Sequence, residues 1–151
     1  MTHPDAKPIS WFEYPIRVQP HHTDYGGVVW HGTYITWLES ARVECLRAAG
    51  VPFEKLVKLG YDLPVVGLDI RYCQPLSLGA RATVKTRLAP MQGIRLNWLY
   101  EIETQDIASG SPQIHLTGQV TLVTVDVASR KVVRRLPDAV QAILQQAIDY
   151  F

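Results

Sequence analysis

A chain of 151 residues fits one domain, 1–151, and can bury a core without disulfide or metal staples. Its 47% hydrophobic and 19% charged residues are ordinary for a soluble globular protein. A formal net charge of +1 excludes a global field that selects nucleic acid or an acidic membrane surface, so any anionic ligand must be met by local clusters. The leader Met1-Thr2-His3-Pro4-Asp5-Ala6-Lys7-Pro8 has no apolar run of signal-peptide length, and no stretch is apolar enough for a transmembrane helix. Cys45 and Cys73 form no C-x-x-C pair. That usage fits a reducing, cytoplasmic compartment.

Phe12 to Val18 reads as a short strand with Phe12, Tyr14, Ile16 and Val18 on one side, and Pro15 places it at an edge or a strand start. A loop of special residues follows from Gln19 to Val29. A helix is predicted from Gly32 to Ala49. Tyr34, Trp37, Leu38, Ala41, Cys45 and Ala48 form its apolar stripe, while Thr36, Glu39, Arg42 and Arg47 fall away from it. Gly50 supplies a left-handed cap, with Pro52 close behind. A short helix covers Phe53 to Leu59 and stops at Gly60. Strands are predicted at Leu63–Tyr72, Ala80–Leu88, Ile94–Glu103 and Gln113–Asp126, with a last short strand at Val132-Val133. The third is the clearest: Ile94, Leu96, Trp98, Tyr100 and Ile102 alternate with polar residues. Leu136-Pro137-Asp138 opens a terminal helix with proline in its first turn. Strands joined by short turns are antiparallel by default, and the long striped helix is the element large enough to cover the sheet. The expectation is an α+β hot-dog fold, an antiparallel sheet wrapped around one long central helix.

The chemistry concentrates between Arg17 and Arg42. Asp24 lies in a loop directly ahead of the helix, and Gly26 and Gly27 let the backbone bend sharply there. A helix start leaves N–H groups without internal partners and favours negative charge. A thioester carbonyl placed there would be polarised and its oxyanion stabilised. A carboxylate a few residues upstream could attack that carbonyl or take a proton from water. Taken alone, Asp24 reads first as a loop or capping carboxylate, since polar loop residues commonly cap.

The whole string resembles the 4-hydroxybenzoyl-CoA thioesterase family of hot-dog proteins, in particular the acyl-CoA thioesterase branch associated with the Tol-Pal system. The matching residues are Asp24, Gly27, Val28, Val29, Trp30, His31 and Tyr34, followed by Trp37, Glu39, Ala41 and Arg42. Leu63-Pro64-Val65-Val66, Tyr72, Pro75 and Gly79 match less specifically. The resemblance spans Phe12 to Val133. It implies hydrolysis of an acyl-CoA thioester, with Asp24 as nucleophile or general base and the helix start near His31 polarising the carbonyl. It implies His31 as a second catalytic residue and Gly27, Val28, Val29, Trp30 and Tyr34 as substrate contacts. No cofactor or metal is implied. Family members often carry Asp-x-Asp where this chain has His22-Thr23-Asp24, so His22 replaces the first acid.

Other candidates are read more plainly. His21 and His22 are expected as solvated loop residues. A metal site would need them to converge with Asp24 and His31, and their spacing matches no metal signature. Glu39 and Glu44 read as structural or paired, Cys45 as core, and Cys73 as no nucleophile. Arg71, Arg81, Lys85, Arg87, Arg130, Lys131, Arg134 and Arg135 are available for CoA phosphates or for solvent. Two competing functions remain: a hot-dog hydroxyacyl-thioester dehydratase, whose histidine-led motif is laid out differently, and a non-catalytic acyl-CoA-binding protein. The exposed edges of one curved sheet predict a homodimer or homotetramer with shared sites, to which the partner's strand Leu63–Tyr72 would add part of the acyl or CoA surface.

Overall fold

The computed structural model describes residues 10–105 and 108–151, so the leader Met1 to Pro8 lies outside the described residues. Five strands make the main sheet: β1 (Phe12–Arg17), β3 (Val65–Tyr72), β4 (Arg81–Leu88), β5 (Leu96–Gln105) and β6 (Pro112–Leu122), in the order β1-β4-β5-β6-β3 and antiparallel throughout. Strand β1 is an edge, as Pro15 requires, because proline donates nothing to a second neighbour. The period-two pattern of β5 puts Leu96, Trp98, Tyr100 and Ile102 inside. Ala82, Val84, Thr86 and Leu88 of β4 join them.

Helix α1 (His31–Ala48) lies on this apolar face against β1 and β4. It buries Tyr34, Trp37, Leu38, Ala41, Cys45 and Leu46, whereas the expected stripe member Ala48 is exposed. Each large apolar side chain buried this way contributes about 1.5–3 kcal/mol, which is why the stripe decides the helix's orientation. Arg42, expected to face away, reaches back so that its Nη1 donates to the buried Tyr100 hydroxyl at 3.2 Å. Its long stem allows this.

The strand expected at Gln113–Asp126 is two strands in different sheets, and the one expected at Leu63–Tyr72 starts only at Val65. Pro64 has no N–H to continue the β3 ladder, so it separates β2 (Tyr61–Asp62) from β3. Opposite it, the chain leaves the main sheet after Leu122, the Val123 N–H donating to Pro64 O at 3.3 Å. It then forms β7 (Val125–Asp126), which pairs with β2 and with β8 (Lys131–Val132) in a small second sheet. Strand β8 lies within one residue of the short strand expected at Val132-Val133, whereas β2 carries too little periodicity to be seen in the sequence.

The two ends of α1 differ, and this difference positions the site. At its C-terminus Gly50 adopts φ 79°, and Ala49 O and Gly50 O accept hydrogen bonds from Gln146 Nε2 (3.0 Å) and Lys55 Nζ (3.2 Å). Lys55 belongs to α2 (Phe53–Lys58) and Gln146 to α3 (Asp138–Tyr150), which docks through Val140, Leu144 and Ala147. Pro137 is the residue just ahead of that helix rather than inside its first turn. At the N-terminus Trp30 gives no side-chain cap and no acid lies in the first turn. The His31 and Gly32 N–H groups meet no acceptor among the described residues.

Candidate active site

The loop ahead of α1 (19–30) is held by its own backbone. Pro20–His22 forms one short 3-10 turn. Thr23 bridges Val29, the Asp24 N–H donates to Val28 O at 2.8 Å, and the Gly27 N–H donates to Asp24 O at 3.2 Å. Gly27 takes φ 80°, a conformation that disfavours any side chain, whereas Gly26 does not need its freedom. The Gly26 N–H donates to Asp24 Oδ1 at 2.8 Å, which fixes the carboxylate at the loop tip.

His22 is a structural residue rather than a solvated one. Its Nδ1 accepts the Gln19 N–H at 2.9 Å, its ring packs edge-on to Trp37 at 5.0 Å, and its carbonyl accepts Trp30 N–H and Thr33 Oγ1–H, each at 3.0 Å. Burial, with His21 adding repulsion, lowers its pKa, which keeps it neutral and able to accept. A carboxylate at this position could accept the same N–H, which gives a physical reason for histidine replacing an acid here.

Asp24, Val29, His31 and Tyr34 line one cleft of about 330 Å³, closed on the other side by Tyr72, Cys73, Gln74 and Pro75. The open start of α1 therefore faces the same space as the Asp24 carboxylate. Tyr72 Oη donates to His31 O at 2.9 Å and ties the end of β3 to the first turn of α1. The Tyr34 ring lies 5.5 Å from Tyr72, and burial, with Tyr72 adding to it and a Leu76 backbone hydrogen bond opposing it, raises the Tyr34 pKa. Its phenol thus keeps its proton at neutral pH and can donate.

Three predicted contact residues stand elsewhere. Gly27 and Val28 pair with the β3–β4 connection, Leu78 N–H donating to Gly27 O at 3.1 Å and Val28 bridging Ser77. Trp30 is half exposed, and its indole lies over Gly32 so closely that a Cβ there would sit 2.1 Å from the ring. It faces a neighbouring cleft with His21 and His22. Those two histidines do not converge with Asp24 and His31, and among the described residues no three His, Cys, Asp or Glu side chains gather as a metal site.

Sequence reasoning did not single out the far wall of the cleft. Tyr72 carried a weak signal as a matched aromatic; Gln74 and buried His115 carried none. Gln74 O and Pro75 O both face His115 Nδ1, at 3.3 and 3.1 Å. Two acceptors there require a proton on Nδ1, and Nε2 lies 2.8 Å from Thr104 Oγ1. His115 thereby clamps this wall from behind. Cys73 is exposed in the cleft, while burial pushes the Cys45 thiol up to about 12. Iodoacetamide at neutral pH should therefore modify Cys73 and spare Cys45 until the protein is unfolded. Intact-mass spectrometry checks this, and two adducts on the folded chain would contradict the buried core.

Residues 18–144 match the family model described as the thioesterase-like superfamily. A putative esterase from Synechocystis is 56% identical over 137 residues, covering 91% of this chain and 80% of the relative. The acyl-CoA thioester hydrolase YbgC of Escherichia coli is 30% identical over 135 residues, covering 89% and 96%. The structure of a 4-hydroxybenzoyl-CoA thioesterase variant complexed with 4-hydroxybenzoyl-CoA superposes with a TM-score of 0.79 at 15% identity, covering 91% and 98%, and shares the fold.

Proposed function

The chain belongs to the thioesterase-like superfamily, and from that premise we propose that it is an acyl-CoA thioesterase whose reaction takes place between Asp24 and the start of α1. The observation that carries this reading is the shared cleft. Asp24 and His31 line it together, and α1 opens on it with no acid and no side-chain cap in its first turn.

The thioester carbonyl oxygen takes the His31 and Gly32 N–H groups, whose partial positive charge stabilises the oxyanion as it forms. Asp24 acts in one of two ways. As a base it takes a proton from water, whose oxygen adds to the carbonyl carbon. The tetrahedral intermediate then collapses and expels CoA thiolate, which recovers a proton. As a nucleophile it forms an acyl anhydride with loss of thiolate, and water then cleaves the anhydride. The Tyr34 hydroxyl stands ready to donate toward the leaving group. Val29 and Tyr34 contact the acyl end, while Gly27 and Val28 serve by shaping the loop and Trp30 by flanking it. His31 contributes its N–H first and its ring second.

In the same proposal the whole chain acts as one domain, belongs to the Tol-Pal-associated branch that its motif resembles and works in the cytoplasm; the 30% identity to the acyl-CoA thioester hydrolase YbgC supports the acyl-CoA part of it. No helix among the described residues is long and apolar enough to cross a membrane. The decisive experiment is free-thiol release from a panel of aromatic and aliphatic acyl-CoAs with Asp24→Asn alongside. Bound CoA should also slow alkylation of Cys73. Since the helix start takes the role of a Lewis acid, thiol release should survive exhaustive EDTA treatment unchanged. Loss of rate restored by zinc would instead implicate His21 and His22.

A further inference from the structure

The Asp24 cleft cannot hold a whole acyl-CoA. Its volume of about 330 Å³ sits at the bottom of the range for small-ligand pockets, and CoA adds a nucleotide and its phosphates to the acyl and pantetheine portions. A larger cleft of about 920 Å³ opens on the other side of Pro75, which lines both.

Two arginines stand in this larger cleft. Arg17 ends β1, Arg81 begins β4, and the antiparallel register sets them directly opposite each other. Like charges so placed repel and destabilise a sheet. Both are exposed, and neither has an ion-pair partner among the described residues. Arg17 Nη1 donates to Gly79 O at 3.1 Å, which orients its fork. Glu103 lines the same cleft but is bridged to Lys85 at 3.6 Å. The sheet therefore retains an uncompensated like-charge pair beside the one cavity wall it shares with the Asp24 cleft.

We infer that Arg17 and Arg81 form an anion site for the phosphates of CoA, with Pro75 as the saddle over which the pantetheine arm passes toward Asp24. This rests on the thioesterase reading. Guanidinium forks match phosphate oxygens in a planar, bidentate way, and an anion between the two cancels their repulsion. Ser77, at the rim of the same cleft, adds a hydroxyl donor.

The test is calorimetric titration at low ionic strength with CoA, 3′-dephospho-CoA and pantetheine. It compares the wild-type protein, the double variant Arg17→Met/Arg81→Met and, as a control, Lys58→Met at an exposed position in the short helix Phe53–Lys58. The double variant should bind CoA about tenfold or more weakly and pantetheine unchanged, since the charge-assisted bonds go to phosphate alone. Lys58→Met should bind both as wild type. An effect preserved on 3′-dephospho-CoA assigns the pair to the diphosphate, and one lost there assigns it to the 3′-phosphate. Relief of repulsion should leave the melting temperature of the unliganded double variant unchanged or higher, which separates a site defect from a folding defect. The inference is overturned if the double variant binds CoA like wild type, if pantetheine weakens equally, or if wild type does not prefer CoA over pantetheine. Binding decides it even if no acyl-CoA in the panel is hydrolysed, in which case only the catalytic reading falls.

Discussion

Asp24→Asn should leave the fold intact and lower kcat by about 10²–10⁴-fold, the usual worth of a positioned acid–base or nucleophilic group. The fold survives because the substitution keeps the oxygen that accepts the Gly26 N–H at 2.8 Å, the one side-chain bond that shapes the loop tip. Asp24 is exposed, so no core packing changes with it. What is lost is the carboxylate's charge and basicity beside the open start of α1. The loss should fall on kcat more than on KM, because the proposed mechanism sets Asp24 to work at the reacting carbon and not on the distant parts of CoA. Thiol release at saturating substrate measures it, with circular dichroism and thermal melting to show an unchanged fold. A variant turning over at near the wild-type rate would remove Asp24 from the chemistry.

The shape of the loop around Asp24 was legible because its backbone constraints lie within a few neighbouring residues. Asp24, Gly27 and His31 stand close together in sequence, and the loop that carries them closes on itself through local hydrogen bonds. The main sheet was legible for a similar reason. The alternation in β4 and β5 and the stripe of α1 each point to one buried face, and all three meet there. Where the reading failed, a distant partner decided. The strand expected to run to Asp126 breaks because Pro64, far away in sequence, has nothing to donate to it. Arg42 looked like a surface residue until Tyr100 was placed beneath it. The far wall of the cleft depends on His115, a lone histidine in a strand whose partners Gln74, Pro75 and Thr104 come from two other segments. Trp30 is a local case: it reads as a substrate contact because it sits in the motif, and its ring settles over Gly32, two residues on, beside the neighbouring cleft.

The wild-type protein should sediment as a homodimer or larger, and Leu68→Lys combined with Val66→Lys should convert it to a monomer with at least about tenfold lower kcat/KM. The argument starts from the two edges of the main sheet. Edge β1 is guarded by Pro15 and carries Glu13 and Arg17. Edge β3 has no proline, runs for eight residues, and exposes Val65, Val66, Leu68 and Tyr72 at 48–58% of their surface. An unpaired ladder flanked by exposed apolar side chains is a template for another strand, and a second β3 is the partner always present. A two-fold axis beside that edge buries the same strip from both copies. Tyr72 and Cys73 at the end of β3 line the Asp24 cleft, so a partner strand laid along this edge would reach it. Loss of the partner would then cost catalysis as well as assembly. In an isolated chain the two lysines would replace exposed side chains, where substitutions usually cost within about ±0.5 kcal/mol, so the folded monomer should persist. Sedimentation velocity at assay concentration, paired with thiol release on the same sample, tests both parts. A wild-type protein that is monomeric and fully active would eliminate the shared site. A charged variant that stays dimeric would move the interface away from β3.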